Sequence, residues 1–159
     1  MTPQPTIYTI GHGTDTFDEF VRRITPHGVT TIVDVRSHPT SRHAPEFAKQ
    51  ELESAAASVG IGYRWLGSSL GGRPDDDTLY DDSGIPEWVR IRSTARFGGG
   101  FAELVGLSKT SIVAIMCAEL DPRRCHRTLL IGPELMASGI TVVDILGDGS
   151  AAPHQSPLA

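Results

Sequence analysis

The apolar positions of this chain follow two rhythms, short β-rich runs and helical stripes, and the two alternate from end to end. "IYTI" (7–10) is β-rich and closes at Gly11, which predicts a strand. "TFDE" (16–19) has the S/T-x-x-E form of a capping box. Phe17, Phe20, Val21 and Ile24 then line one helical face, and Pro26 and Gly28 stop that helix. "TTIVDV" (30–35) is a second strand, followed by the polar loop 36–47. Pro45 is suited to open a helix that runs to Val59 and ends at Gly60. "IGYRWL" (61–66) is a third strand. Residues 67–86 are rich in Gly, Asp and Pro and predict a long functional or mobile loop. Helical segments fit 87–96 and 101–107, split by "GGG" (98–100). "SIVAIM" (111–116) reads as a buried strand. "RTLLIGPELMAS" (127–138) reads as a helix disturbed at Gly132-Pro133, and "TVVDIL" (141–146) as a last strand.

Strands that alternate with helices predict an α/β fold: a mainly parallel sheet of about five strands flanked by helices, in rhodanese-like or Rossmann-like layers. The expected organisation is a loose leader at 1–6, one domain over 7–147, and a disordered polar tail at 148–159. In such sheets ligands gather beyond the C-terminal ends of the strands. Three polar clusters fall there: Gly11-His12-Gly13, Asp34-Val35-Arg36 with its loop, and Cys117 to Arg127. Their convergence on one edge is the reason to expect a site.

Composition narrows the classes. The 159 residues are 39% hydrophobic and 21% charged, a soluble, globular balance. No apolar run approaches the roughly 20 residues of a membrane helix, and "MTPQPTIYTIGHG" carries no secretory pattern. The expected location is cytoplasmic, with both cysteines reduced. A net charge of −5 disfavours nucleic-acid binding through a broad basic surface but leaves room for a local basic pocket. Lysine occurs only at Lys49 and Lys109, so most of the positive charge is arginine.

"MCAELDPRRCHR" (116–127) holds both cysteines. Cys117 stands where a strand ends, and His126 and Arg127 open the next helix. A thiol near arginines and a helix start becomes a reactive thiolate, which makes Cys117 a candidate nucleophile; the plainer reading is a small apolar residue. Cys117 and Arg123 fit C-x(5)-R, but Glu119, Asp121 and Pro122 argue against a phosphate cradle. Cys117, Cys125 and His126, with Glu119 and His12, are candidate ligands for zinc or iron, although no C-x-x-C pair is present. A Cys117–Cys125 disulfide is a further reading.

Beyond that loop, His12 between two glycines suits acid–base work or a plain polar turn. Asp34 is expected to orient Arg36 or a backbone turn. Arg36, Ser41 and Arg42 suit a carboxylate or phosphate, against a solvated loop. Tyr63 and Trp65 read as core or as a stacking surface. Gly71-Gly72-Arg73 is weak as a phosphate loop, and the run Asp75 to Asp77 with Asp81 and Asp82 reads as a solvated lid.

"TTIVDVR", Cys117 and "GITVVDILGDG" are similar to the rhodanese fold, which brings in sulfur transfer, but the loop after Cys117 is longer and more acidic than a typical sulfur-transfer loop. "YTIGHG", "DVRSHPTSRHAPEF", "GIGYRWLGSSLGG" and "MCAELDPRRCHR" together resemble the domain of unknown function 488 family from about Ile7 to Leu146. The family pattern has Ser where this chain has Gly13, and often His-Ile where it has Asp144-Ile145. The resemblance implies one small α/β domain without an agreed activity; some members carry a DNA-repair description. Its polar motif positions fall on Gly11, His12, Asp34, Arg36, Ser41, Arg42, Cys117, Glu119, Cys125, His126 and Arg127.

The leading expectation is an enzyme that acts on an anionic small molecule or nucleotide. His12, Cys117, Glu119 and His126 would be catalytic. Arg36, Ser41, Arg42 and Arg127 would bind substrate, with Asp34 and Gly11 in orienting roles. Two other readings stand beside it: a non-catalytic nucleotide or nucleic-acid module, and a buried network of arginine–carboxylate pairs such as Arg36 with Glu119. No membrane partner is expected.

Overall fold

A computed structural model of the chain describes residues 5–40 and 42–155. Six strands form one sheet: β1 (Thr6–Gly11), β2 (Thr31–Asp34), β3 (Gly62–Trp65), β4 (Val113–Cys117), β5 (Thr141–Ile145) and β6 (Ala151–Pro153). They lie in the order β3-β2-β4-β1-β5-β6. The first five are parallel, and β6 joins β5 antiparallel. The fold is α/β. All five residues of β4 are buried, as expected of a strand covered on both faces.

Helices cover both faces. On one side α1 (Phe17–Ile24) and α2 (Lys49–Ser58) pack Phe20, Ile24 and Leu52 against Ile10, Ile32 and Met116. On the other lie α3 (Gly67–Leu70), α4 (Trp88–Arg92), α5 (Ala95–Ser108) and α6 (Gly132–Ala137). These bring Leu70, Ile91, Phe97, Leu104 and Leu135 against Ile7, Val33 and Ile115. The capping box of α1 is formed: Glu19 N–H donates to Thr16 Oγ1, and Thr16 N–H donates to Glu19 Oε1. From the same helix the buried Arg23 reaches the sheet edge, donating to Gly11 O, Ile145 O and Leu146 O and pairing with Asp15. One side chain thereby ties the ends of β1 and β5.

The structure departs from the sequence reading in four places. The GGG stretch does not split a helix; it lies inside α5. Gly100 faces Ser69, whose Oγ would stand 2.0 Å from an added Cβ, so close packing of α3 on α5 offsets the poor helix propensity of glycine. The long loop 67–86 contains α3, a single turn at Asp77–Leu79 and a bridge between Tyr80 and Pro86. The helix expected from Pro45 begins only at Lys49, because Ala48 is extended after the turn Pro45–Phe47. The tail assigned to disorder supplies β6, and its His154 donates through Nδ1 to Asp144 at 2.7 Å. Gly149, at φ 87°, makes the turn that brings β6 back. Among the described residues no helix is long and apolar enough to cross a membrane.

Candidate functional site

Register sets the edge. Gly11 is level with Cys117, and Asp34 with Met116, so the chain leaves β1, β2 and β4 side by side. Gly11 is required there: a Cβ would lie 1.9 Å from the Glu119 carbonyl oxygen. His12 and Gly13 N–H donate to Cys117 O and Ala118 O, which holds the two loops together. A cleft of about 530 Å³ opens over this edge, walled by His12, Arg36, Ser37, His38, Arg73, Ile85, Trp88, Cys117, Glu119, Arg124, Cys125 and His126 among others. A volume of that size suits a small-molecule ligand. Three arginines and one carboxylate stand in its wall, and Arg36 among them is already paired with Asp34.

The two sulfurs meet at its base. Cys117 Sγ and Cys125 Sγ are 2.7 Å apart, and both residues are buried. Cys125 lies just ahead of a five-residue π-helical stretch, Arg127–Ile131, that runs into α6. Its carbonyl accepts from Thr128 and Leu129 N–H. Its sulfur accepts from Arg127 N–H at 3.5 Å, in the manner of a capping side chain. His126 Nε2 lies 2.8 Å from Val35 O. A carbonyl only accepts, so Nε2 carries a proton and Nδ1 is the basic nitrogen of the neutral ring. That nitrogen is 3.6 Å from Cys125 Sγ. A thiol, a base and a group that orients the base are therefore in line.

Burial pushes both thiols up. Cys117 stays well above the ordinary value, raised further by its contact with Cys125. For Cys125, hydrogen bonds from Cys117 and His126 and the nearby charges of His126 and Arg127 outweigh burial, and its pKa falls well below the ordinary thiol value. The surroundings favour the anionic form at Cys125 over Cys117, because Cys125 alone receives both the backbone N–H and the histidine.

A model of a domain of unknown function, DUF488, matches residues 16–132. The chain belongs to the DUF488 family. No curated protein matches it, and no solved structure does. The matched span takes in β2 and β4 and the loops that carry Arg36, Cys117, Glu119, Cys125, His126 and Arg127. His12, β5 and β6 lie outside it.

The other candidate residues of this DUF488 chain fall into frame and surface. Asp34 is fully buried and accepts from Arg36 Nε, Nη2 and N–H and from the Tyr63 hydroxyl. Arg36 also donates to Phe47 O. The partner of Arg36 is therefore Asp34, not Glu119, since Asp34 is two residues away and on the same strand end. Glu119 is exposed, and its carboxylate accepts from Asp121 N–H. Arg127 has no exposed surface and is absent from the cleft wall. It donates to Glu119 O, Leu120 O and Thr9 Oγ1, which makes it a clamp on the loop rather than a substrate contact. Arg42 is exposed and outside the cleft wall. Ser41 lies outside the described residues.

His12 is buried and stacks on Phe47 at 4.5 Å. Its Nδ1 donates to Gly13 O, and Nε2 has no partner. Burial, the largest influence, lowers its pKa, so near neutral pH the ring is uncharged with a free lone pair. Among the described residues no three His, Cys, Asp or Glu side chains are grouped to hold a metal ion. Trp65 Nε1 donates to Arg36 O and the Tyr63 hydroxyl to Asp34, so both rings brace the second loop. Arg73, weighed in the sequence only within the weak Gly71-Gly72-Arg73 motif, and Arg124, a motif residue given no role, also line the cleft. Two distant loops bring them together.

Proposed function

We propose that the protein is an enzyme that uses the Cys125 thiolate on an anionic small molecule or nucleotide bound in the cleft. The observation that carries this reading is the line Cys125 Sγ, His126 Nδ1, Nε2 and Val35 O at the base of a cleft walled by Arg36, Arg73 and Arg124. His126 accepts the thiol proton and leaves the sulfur charged. Arg73 and Arg124 attract the anion, while Arg36 is held by Asp34. His12, uncharged with a bare Nε2, is an available proton acceptor on the same wall. The Asp34–Arg36–Tyr63 cluster and the Arg127 clamp support the network reading for those residues, which here serve as the frame of the site.

The test is alkylation by iodoacetamide, a neutral reagent, across pH, with peptide mapping. Cys125 should react at mildly acid pH, where an ordinary thiol does not. His126→Asn should move its pH profile upward by roughly one to three pH units, the effect of removing a single charged partner. Inorganic phosphate or adenosine monophosphate should slow the reaction, and added salt should weaken that protection. An ordinary thiol profile at Cys125, unmoved by either anion, would overturn the reading.

A further inference from the structure

Thiol chemistries differ in what happens after the first attack, and here the second sulfur decides. We infer that Cys117 and Cys125 form a dithiol–disulfide couple that reduces an anionic low-molecular-weight disulfide held in the cleft. The inference rests on the thiolate reading above and adds a substrate class and a role for Cys117.

The geometry is specific. The sulfurs are 2.7 Å apart, so a bond of about 2.05 Å requires a closure of less than about 1 Å. The loop between them is held from several sides. Gly11 lets Glu119 pass close to β1. Arg127 grips Glu119 O and Leu120 O. Asp121 accepts from Arg123 N–H and starts the turn Pro122–Arg124 that delivers Cys125. A lone buried thiol needs none of this bracing. Both sulfur-bearing residues line the same cleft, so an adduct on Cys125 would form where Cys117 already stands. Arg73 and Arg124 in the wall favour a charged disulfide, and the volume admits one far larger than a peroxide.

The steps balance. The Cys125 thiolate attacks one sulfur of the bound disulfide, forms a mixed disulfide, and the other half leaves as a thiolate. Cys117 then attacks the Cys125 sulfur. The internal disulfide forms, the second half leaves, and the Cys117 proton goes with it as a thiol. Two electrons pass from the cysteine pair to the substrate. A dithiol reductant reverses the internal disulfide and resets the pair.

The reduced full-length protein is mixed with oxidised glutathione, quenched in acid and weighed by mass spectrometry. The wild type should end as the internal disulfide, with two glutathiones released per chain. Cys117→Ser should accumulate a glutathione adduct on Cys125, and Cys125→Ser should form neither product. Hydroxyethyl disulfide, which is neutral, should react roughly tenfold more slowly, about the worth of one ion pair in a partly exposed cleft. Cys117→Ala with an unchanged thermal transition controls for misfolding and should also stall at the adduct. A wild type that stalls at the same adduct, with Cys125 still fast toward iodoacetamide, would overturn the couple and leave the thiolate enzyme standing. Slow alkylation of Cys125 would overturn both.

Discussion

Position 11 shows how little room the site leaves. An added Cβ would stand 1.9 Å from Glu119 O, which Arg127 already holds. Gly11→Ala should therefore cost about 1–3 kcal/mol in urea unfolding and should slow Cys125 alkylation, because the loop must lift. An unchanged midpoint and an unchanged alkylation rate would show that the loop yields freely. At this scale the sequence placed distant polar residues at one sheet edge, and the fold brings five of them to one cleft. His12, Arg36, Cys117, Cys125 and His126 do meet in the cleft. Arg127 reads in sequence like a substrate-binding arginine, and only its burial shows it as a clamp. A motif gives residue types; which ones face solvent depends on packing far along the chain.

Among the elements, β6 has the least backbone support, with three residues on one neighbour. Its hold is chemical. Asp144 accepts from Thr9 Oγ1 and from His154 Nδ1. Burial would raise the Asp144 pKa, but these two hydrogen bonds and the His154 charge outweigh it and the pKa is lowered. A carboxylate with a depressed folded pKa adds stability that is fully present above the unfolded value of about 3.9 and lost as pH falls through the folded value. The wild type should thus shed this contribution only below about pH 4. His154→Ala should cost about 1.5–3 kcal/mol near neutrality, flatten that acid-side loss, and speed amide exchange in Ala151 and Ala152. Equal slopes in wild type and variant would detach the effect from Asp144. Composition could not disclose this strand: "GDGSAAPHQSPLA" is polar and rich in turn formers, and β6 is held by its pairing with β5 and by the contact of His154 with Asp144. Four of the five parallel strands were legible from their β-branched runs, a local signal that needs no partner to be read; β3, GYRW, has none and is half exposed.

The whole molecule gathers Arg36, Arg73 and Arg124 around one cleft in a chain of net charge −5. Its strand order has a consequence of its own. β4 lies between β1 and β2, and β5 lies on the other side of β1. During synthesis β1 and β2 emerge early, yet neither can pair with the other in the final sheet. β1 waits for residues 113–145 before it has a neighbour at all. A chain cut after Ile112 keeps only the β2–β3 pairing and should show no cooperative thermal transition by circular dichroism, whereas a sharp one would mean that the first strands find a sheet of their own. Folding is correspondingly a late event on the ribosome, with long-range closure deferred to the last third of the chain. The strand that joins β1 to β2 also ends in Cys117. The nascent protein thus gains its sulfur pair only as the two early strands gain the neighbour they share.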